Sequence, residues 1–157
     1  MDIRRFQKGD AAAVSELIIR TLRITNSKDY SAEEIERLAA QFTPEYVIQR
    51  AQLTHFYVFC TAGKVVGCGA IGPYWGSETE SSLFTIFVHP EYQGKGIGRK
   101  IIETLEADEY ALRASRIEIP ASITACEFYR KLGYSFKNGI DTVDDEQLYR
   151  LEKFRLS

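Results

Sequence analysis

Apolar and polar positions along the chain alternate between a period near two and a period near 3.6, and the switches outline the elements. Asp2 to Phe6 reads as a first strand, and Asp10 is placed to cap a helix from Ala11 to about Leu22. Ser31-Ala32-Glu33-Glu34 is a capping box that opens a helix through Phe42, and Thr43-Pro44 opens another through about Gln52. Phe56 to Cys60 and Val65 to Ile71 flank Ala62-Gly63-Lys64 and predict a hairpin, ended by Pro73-Tyr74-Trp75-Gly76. Ser82 to Val88, rich in β-branched and aromatic residues, predicts the next strand. From there the period changes: Ile97, Ile101, Ile102 and Leu105 recur at helical spacing and predict one helix from Ile97 to about Leu112. Arg116 to Ile119 reads as a short strand ending at Pro120, and Ser122 as the cap of a helix that stops at Gly133. Tyr134 to Lys137 and Gln147 to Phe154 then close the sheet. Hairpins early and a strand–helix–strand unit late predict an α/β fold, with a mixed, mostly antiparallel sheet of about six to seven strands flanked by helices.

The junction between the Ser82–Val88 strand and the Ile97 helix carries the strongest chemical signal. It runs His89-Pro90-Glu91-Tyr92-Gln93-Gly94-Lys95-Gly96-Ile97-Gly98-Arg99-Lys100. Gly94, Gly96 and Gly98 have no Cβ atoms, so backbone N–H groups can approach an anion there, and the helix start adds unpaired donors and its positive dipole end. Lys95, Arg99 and Lys100 sit where that dipole favours acids, a conflict that a bound anion resolves. The alternative is a plain strand-to-helix turn with solvated cations. Arg99 breaks the G-x-G-x-x-G dinucleotide pattern, and no Lys-Ser/Thr pair completes a P-loop.

Gln93-Gly94-Lys95-Gly96-Ile97-Gly98, directly after Val88-His89-Pro90, resembles the Q/R-x-x-G-x-G/A signature of the GNAT superfamily of acetyl-CoA-dependent N-acetyltransferases. Further on, Ala125-Cys126-Glu127-Phe128-Tyr129-Arg130-Lys131-Leu132-Gly133-Tyr134 resembles that family's A-x-x-F-Y-x-K-x-G-F/Y helix. The element order looks like the GNAT fold across nearly the whole chain, with a strand-loop-helix site for acetyl-CoA. The resemblance implies that Gln93, Gly94, Lys95, Gly96, Ile97, Gly98 and Arg99 grip the pyrophosphate, and that the backbone of Ile86, Phe87 and Val88 binds the pantetheine arm. It also implies that Tyr129 lies by the coenzyme sulfur; a tyrosine that merely packs the core is the competing reading. Two positions depart from the family. Ser122 stands where many members carry an asparagine that contacts the coenzyme, and Ser82 stands where histone-type members carry a glutamate general base.

Composition adds limits. The chain has 157 residues and reads as one domain over 1–157. It is 45% hydrophobic and 27% charged with a net charge of −2, which gives no reason to expect a nucleic-acid partner. The longest apolar stretch, Val65 to Ile71, is too short to span a bilayer, and Met1 to Phe6 lacks a signal-peptide core, so the expectation is cytoplasmic with no membrane partner. Cys60, Cys68 and Cys126 lack metal-site or redox spacing and read as buried thiols with no metal, Cys126 as a nucleophile being the weaker option.

The expected chemistry is direct attack of an amine on acetyl-CoA in a ternary complex. A free alkylamine of pKa about 10.4 is overwhelmingly protonated near neutral pH, so its proton must go elsewhere, while the departing thiolate gains from a phenol, for which Tyr129 is the candidate. Glu118, beside the expected cleft, is the first candidate base, with Glu78, Glu80 and a water relay as alternatives; His89 is expected to point away. The acidic segment Asp141, Asp144, Asp145 and Glu146 reads either as a solvated turn or as a contact for a cationic amine acceptor. Tyr74, Trp75, Tyr30 and Phe42 are candidate walls of the acceptor pocket. A non-catalytic acyl-CoA sensor is the alternative function, and a homodimer is compatible with either.

Overall fold

The computed structural model describes residues 1–155; Leu156 and Ser157, the end of the expected 1–157 domain, lie outside the described residues. Its single sheet has seven strands in the order β1-β2-β3-β4-β5-β7-β6. These are β1 Asp2–Arg5, β2 His55–Thr61, β3 Lys64–Pro73, β4 Glu80–Val88, β5 Arg116–Ser122, β6 Ser135–Phe136 and β7 Leu148–Phe154. Every pairing is antiparallel except β4 with β5, so the expected mostly antiparallel mixed sheet is what forms.

Both faces of the central strands are covered. In β2, Phe56, Val58 and Cys60 pack toward α1 (Ala11–Ile24), α2 (Ala32–Gln41) and α3 (Pro44–Leu53), while Phe59 packs on the opposite side toward α4 (Ile97–Glu106). Such strands read as continuous apolar runs. Ile97, Ile101, Ile102 and Leu105 form the buried stripe of α4, as their spacing predicts.

Several boundaries differ from the sequence expectation for identifiable reasons. The expected helix Ile97–Leu112 is two helices, α4 and α5 (Glu109–Leu112). Asp108 divides them: its Oδ1 accepts from the Tyr110 N–H at 2.8 Å, while Tyr57 Oη (2.6 Å) and His55 Nδ1 (2.9 Å) fix its carboxylate from β2. Asp10 does not cap α1; it accepts from both nitrogens of the Arg4 fork at 2.8 Å and from the Gln7 N–H at 2.7 Å. Strand β5 passes through Pro120 to Ser122, tolerated because β5 has an open edge there. Helix α6 spans only Cys126–Lys131, and Ser122 caps the preceding turn, its Oγ accepting from the Ala125 N–H at 3.1 Å. Gly133 does take the left-handed conformation after α6, at φ 101°.

Candidate active site

Strands β4 and β5 pair only from Glu80↔Arg116 to Ser82↔Glu118 and then separate. Beyond Ser82 their facing edges are open, and a cleft of about 870 Å³ lies between them. The divergence coincides with a bulge in β4. Thr85 has φ 55°, a strained conformation for a β-branched residue, and the β3–β4 register shifts between Cys68 and Ala70. The extra residue breaks the two-residue alternation: Leu83 and Ile86 join one core, Phe84 and Phe87 the other. Nothing in the residue types of Ser82 to Val88 marks this bulge; the pairing with β3 creates it.

Past Val88 the chain makes a short turn in which His89, 4% exposed, accepts from the Glu91 N–H at 3.1 Å and takes no place in the cleft. Gln93 Nε2 donates to the Val88 carbonyl at 2.9 Å and ties the glycine loop to the strand end. Gly96 is the residue before α4, at φ 82°, a left-handed conformation that only a residue without Cβ adopts cheaply. Gly98, which lines the cleft, also has a packing role. Its backbone is ordinary, but a Cβ there would lie 2.9 Å from the tip of the Phe128 ring, so it lets α4 and α6 approach. The two sequence blocks thus meet in space.

Ile86, Phe87 and Val88 line one wall of the cleft, and Gln93, Gly94, Gly96, Ile97, Gly98 and Arg99 line its end at the start of α4. Ser122 and Tyr129 line the opposite wall. Lys95 stands apart from the lining, its Nζ 5.1 Å from the Tyr92 ring centroid. The N-terminus of α4 together with Arg99 suits an anion, so a pyrophosphate fits these residues. Tyr129 is 5% exposed, and burial pushes its phenol well above the ordinary tyrosine range. No protein group hydrogen-bonds its hydroxyl among the described residues, which leaves a neutral O–H donor facing the cleft.

Glu118 lies elsewhere. Its carboxylate is 3% exposed, 2.9 Å from Lys137 Nζ and 3.0 Å from Arg116 Nη1, on the side of the sheet junction away from the cleft lining. The same Arg116 binds Glu80 and Glu152, and Tyr74 stacks on it, so neither Glu80 nor Tyr74 reaches the cleft. Glu78 and Trp75 are exposed. Cys126 is buried outside the cleft lining, and burial pushes its thiol up, away from nucleophilic thiolate.

At the far end from the glycine loop, the first helices supply Tyr30 and Phe42, two of the expected wall residues, and further side chains that sequence inspection passes over. Tyr30, Glu34, Arg37, Gln41, Phe42, Tyr46 and Arg50 line the cleft there. Their charged positions look like solvated helix faces in sequence, and only the docking of α1 to α3 beside β4 turns them inward. Of the acidic segment only Glu146 reaches the lining. Asp144 instead organises the turn, accepting from the Leu148 and Glu146 N–H groups and from Arg150.

Tyr30 clasps this end. Its hydroxyl donates to the Gln147 carbonyl and accepts from the Ile123 N–H, both at 2.9 Å, and so joins the α1–α2 connection to two loops across the cleft. Tyr30→Phe strands both backbone groups, and a loss of about 1–2 kcal/mol in urea unfolding is expected. A midpoint equal to that of the parent protein would show that solvent replaces both bonds.

The family model for the acetyltransferase (GNAT) domain matches residues 52–136. The chain is 26% identical over 134 residues to the uncharacterized N-acetyltransferase YafP of Escherichia coli, covering 85% of this chain and 81% of that protein. The crystal structure of PaiA N-acetyltransferase from Thermoplasma acidophilum in complex with coenzyme A superposes with a TM-score of 0.83 at 17% identity, over 98% of both chains. A GNAT family acetyltransferase from Brucella melitensis in complex with acetyl-CoA superposes with a TM-score of 0.62 at 24% identity, over 85% of this chain and 82% of that one.

Proposed function

We propose that this chain, which belongs to the GNAT acetyltransferase family and is an acyltransferase, moves the acetyl group of acetyl-CoA to a primary amine by direct attack in a ternary complex. The observation that carries this reading is the divergence of β4 and β5, which sets an anion-binding helix start at one end of a cleft and the buried Tyr129 phenol on its wall. Gly94, Gly96, Gly98 and Arg99 hold the pyrophosphate, and the open edge at Ile86, Phe87 and Val88 holds the pantetheine arm and polarises the thioester carbonyl through a backbone N–H.

The amine nitrogen bonds to the carbonyl carbon, the carbon–sulfur bond breaks, and Tyr129 gives its proton to the departing thiolate. The two carboxylates at the acceptor end, Glu34 and Glu146, are ion-paired with Arg37 and Arg150. The amine proton therefore leaves through solvent at the mouth, and solvent also returns a proton to Tyr129.

Two measurements test this function. Acetyl-CoA at about a hundred times its Kd is expected to stabilise the fold by about 2.7 kcal/mol, a rise of roughly 5–10 °C in Tm. Release of free thiol across a panel of amines is then expected. No thermal shift would remove acetyl-CoA from the reading; a shift without thiol release from any amine would leave a coenzyme-binding protein that is no catalyst.

A further inference from the structure

Two acids and two arginines line the cleft away from the glycine loop, Glu34, Glu146, Arg37 and Arg50, but they are not all ion-paired. Glu34 is ion-paired with Arg37, and Glu146 with Arg150, which stands outside the lining and also holds Asp144. Arg50, on α3, lines the same end and has no carboxylate partner among the described residues. Its guanidinium carbon lies 5.0 Å from the centroid of the Phe84 ring, on β4. Stacking of this kind fixes the guanidinium plane and leaves its N–H fork at the edge free to bond. Phe84 follows the point where β4 leaves β5, at the end of the cleft opposite the glycine loop. Strand rise puts Phe84 no more than roughly 7 Å from Ile86, so one small molecule can reach from Arg50 to the segment assigned above to the thioester.

The geometry points to an acceptor that carries a carboxylate beside its reacting amine, an amino acid or a compound of that class, with Arg50 binding the carboxylate. This rests on the acetyl-transfer reading given above. The guanidinium fork matches a carboxylate in a bidentate pair. One guanidinium without an ion-pair partner suits a carboxylate, whereas a phosphate dianion calls for a second cation, and Arg37 is already engaged by Glu34. A polycationic acceptor, which the acidic Asp141–Glu146 segment suggests from sequence, meets a free guanidinium here instead of free acids.

The test compares thiol release from acetyl-CoA with free amino acids, the corresponding amino-acid amides, phosphoethanolamine and putrescine. The parent protein is expected to favour the acids over their amides by about tenfold or more in kcat/KM. In Arg50→Gln, KM for the acids is expected to rise about 10- to 100-fold with a smaller change in kcat, and the advantage of acid over amide to collapse to below about threefold. Arg50→Lys keeps the charge without the fork and is expected to recover part of that advantage, and KM for acetyl-CoA reports whether either variant keeps its fold. A parent preference for amides or putrescine, or an equal loss on acids and amides in Arg50→Gln, overturns the proposal; a lead for phosphoethanolamine overturns the carboxylate in favour of phosphate. Should no acceptor release thiol, the acetyl-transfer reading fails, and the Arg50 site is read by binding alone. Thermal protection by N-acetylated amino acids in the presence of coenzyme A, present in the parent protein and lost in Arg50→Gln, supports it, and protection of neither or of both overturns it.

Discussion

Tyr129→Phe is expected to lower kcat by about 100-fold or more while KM for acetyl-CoA moves less than about threefold. The hydroxyl is the only group removed. No protein partner loses a bond, so stability is expected to stay within about 1 kcal/mol of the parent. The effect should therefore appear in turnover alone. Burial holds the phenol protonated beyond its ordinary range, so the parent enzyme does not lose its acid as pH rises through 9. Across that interval kcat/KM is expected to climb about tenfold per pH unit, because the neutral amine fraction grows in that proportion. An unchanged rate in Tyr129→Phe would remove this residue from the mechanism, and a flat pH profile would place a protein base where none is assigned.

Arg116→Leu is expected to destabilise the fold by about 3–5 kcal/mol in urea unfolding. Arg116 is 6% exposed and joins Glu80 of β4, Glu118 of its own strand and Glu152 of β7, at 3.2, 3.0 and 3.0 Å. Removing it leaves Glu118 to Lys137 and the more distant Arg150, and leaves Glu152 without its cation in a buried setting. The cluster also bolts together the three residue pairs by which β4 and β5 still touch before they part, so its loss is expected to loosen the closed end of the cleft. Arg116→Leu combined with Glu152→Leu removes one stranded charge and is expected to recover part of the loss. A cost below about 1 kcal/mol for the single change would mean that solvent screens the cluster.

Arg116 and Glu118 show how sequence misleads about roles. Glu118 sits on the strand beside the expected cleft, which makes it a natural candidate base, but alternation along β5 cannot tell which cation will meet its carboxylate. Lys137 and, farther off, Arg150 arrive from distant segments to meet it. Lys95 is similar: it belongs to the glycine loop by position, yet it stacks over Tyr92 and takes no part in the cleft lining. Arg50 was invisible for the opposite reason, since an arginine in the last turn of a helix looks like an ordinary solvated C-terminal cation.

The amino-acid sequence by itself determined the element order, the apolar stripe of α4, the left-handed glycines and the two blocks that identify the family, because these depend on contacts between near neighbours and on residues with special backbone freedom. Tertiary structure alone decided the bulge at Thr85, the parting of β4 from β5, the inward turn of the α2 and α3 side chains, and the partners of each buried charge. Each of these depends on which remote strand or helix lies alongside, and hydrophobic periodicity carries no record of that. The glycine loop is thus legible in one segment, whereas the acceptor end exists only where five separate segments meet: α1, α2, α3, β4 and the loop before β7.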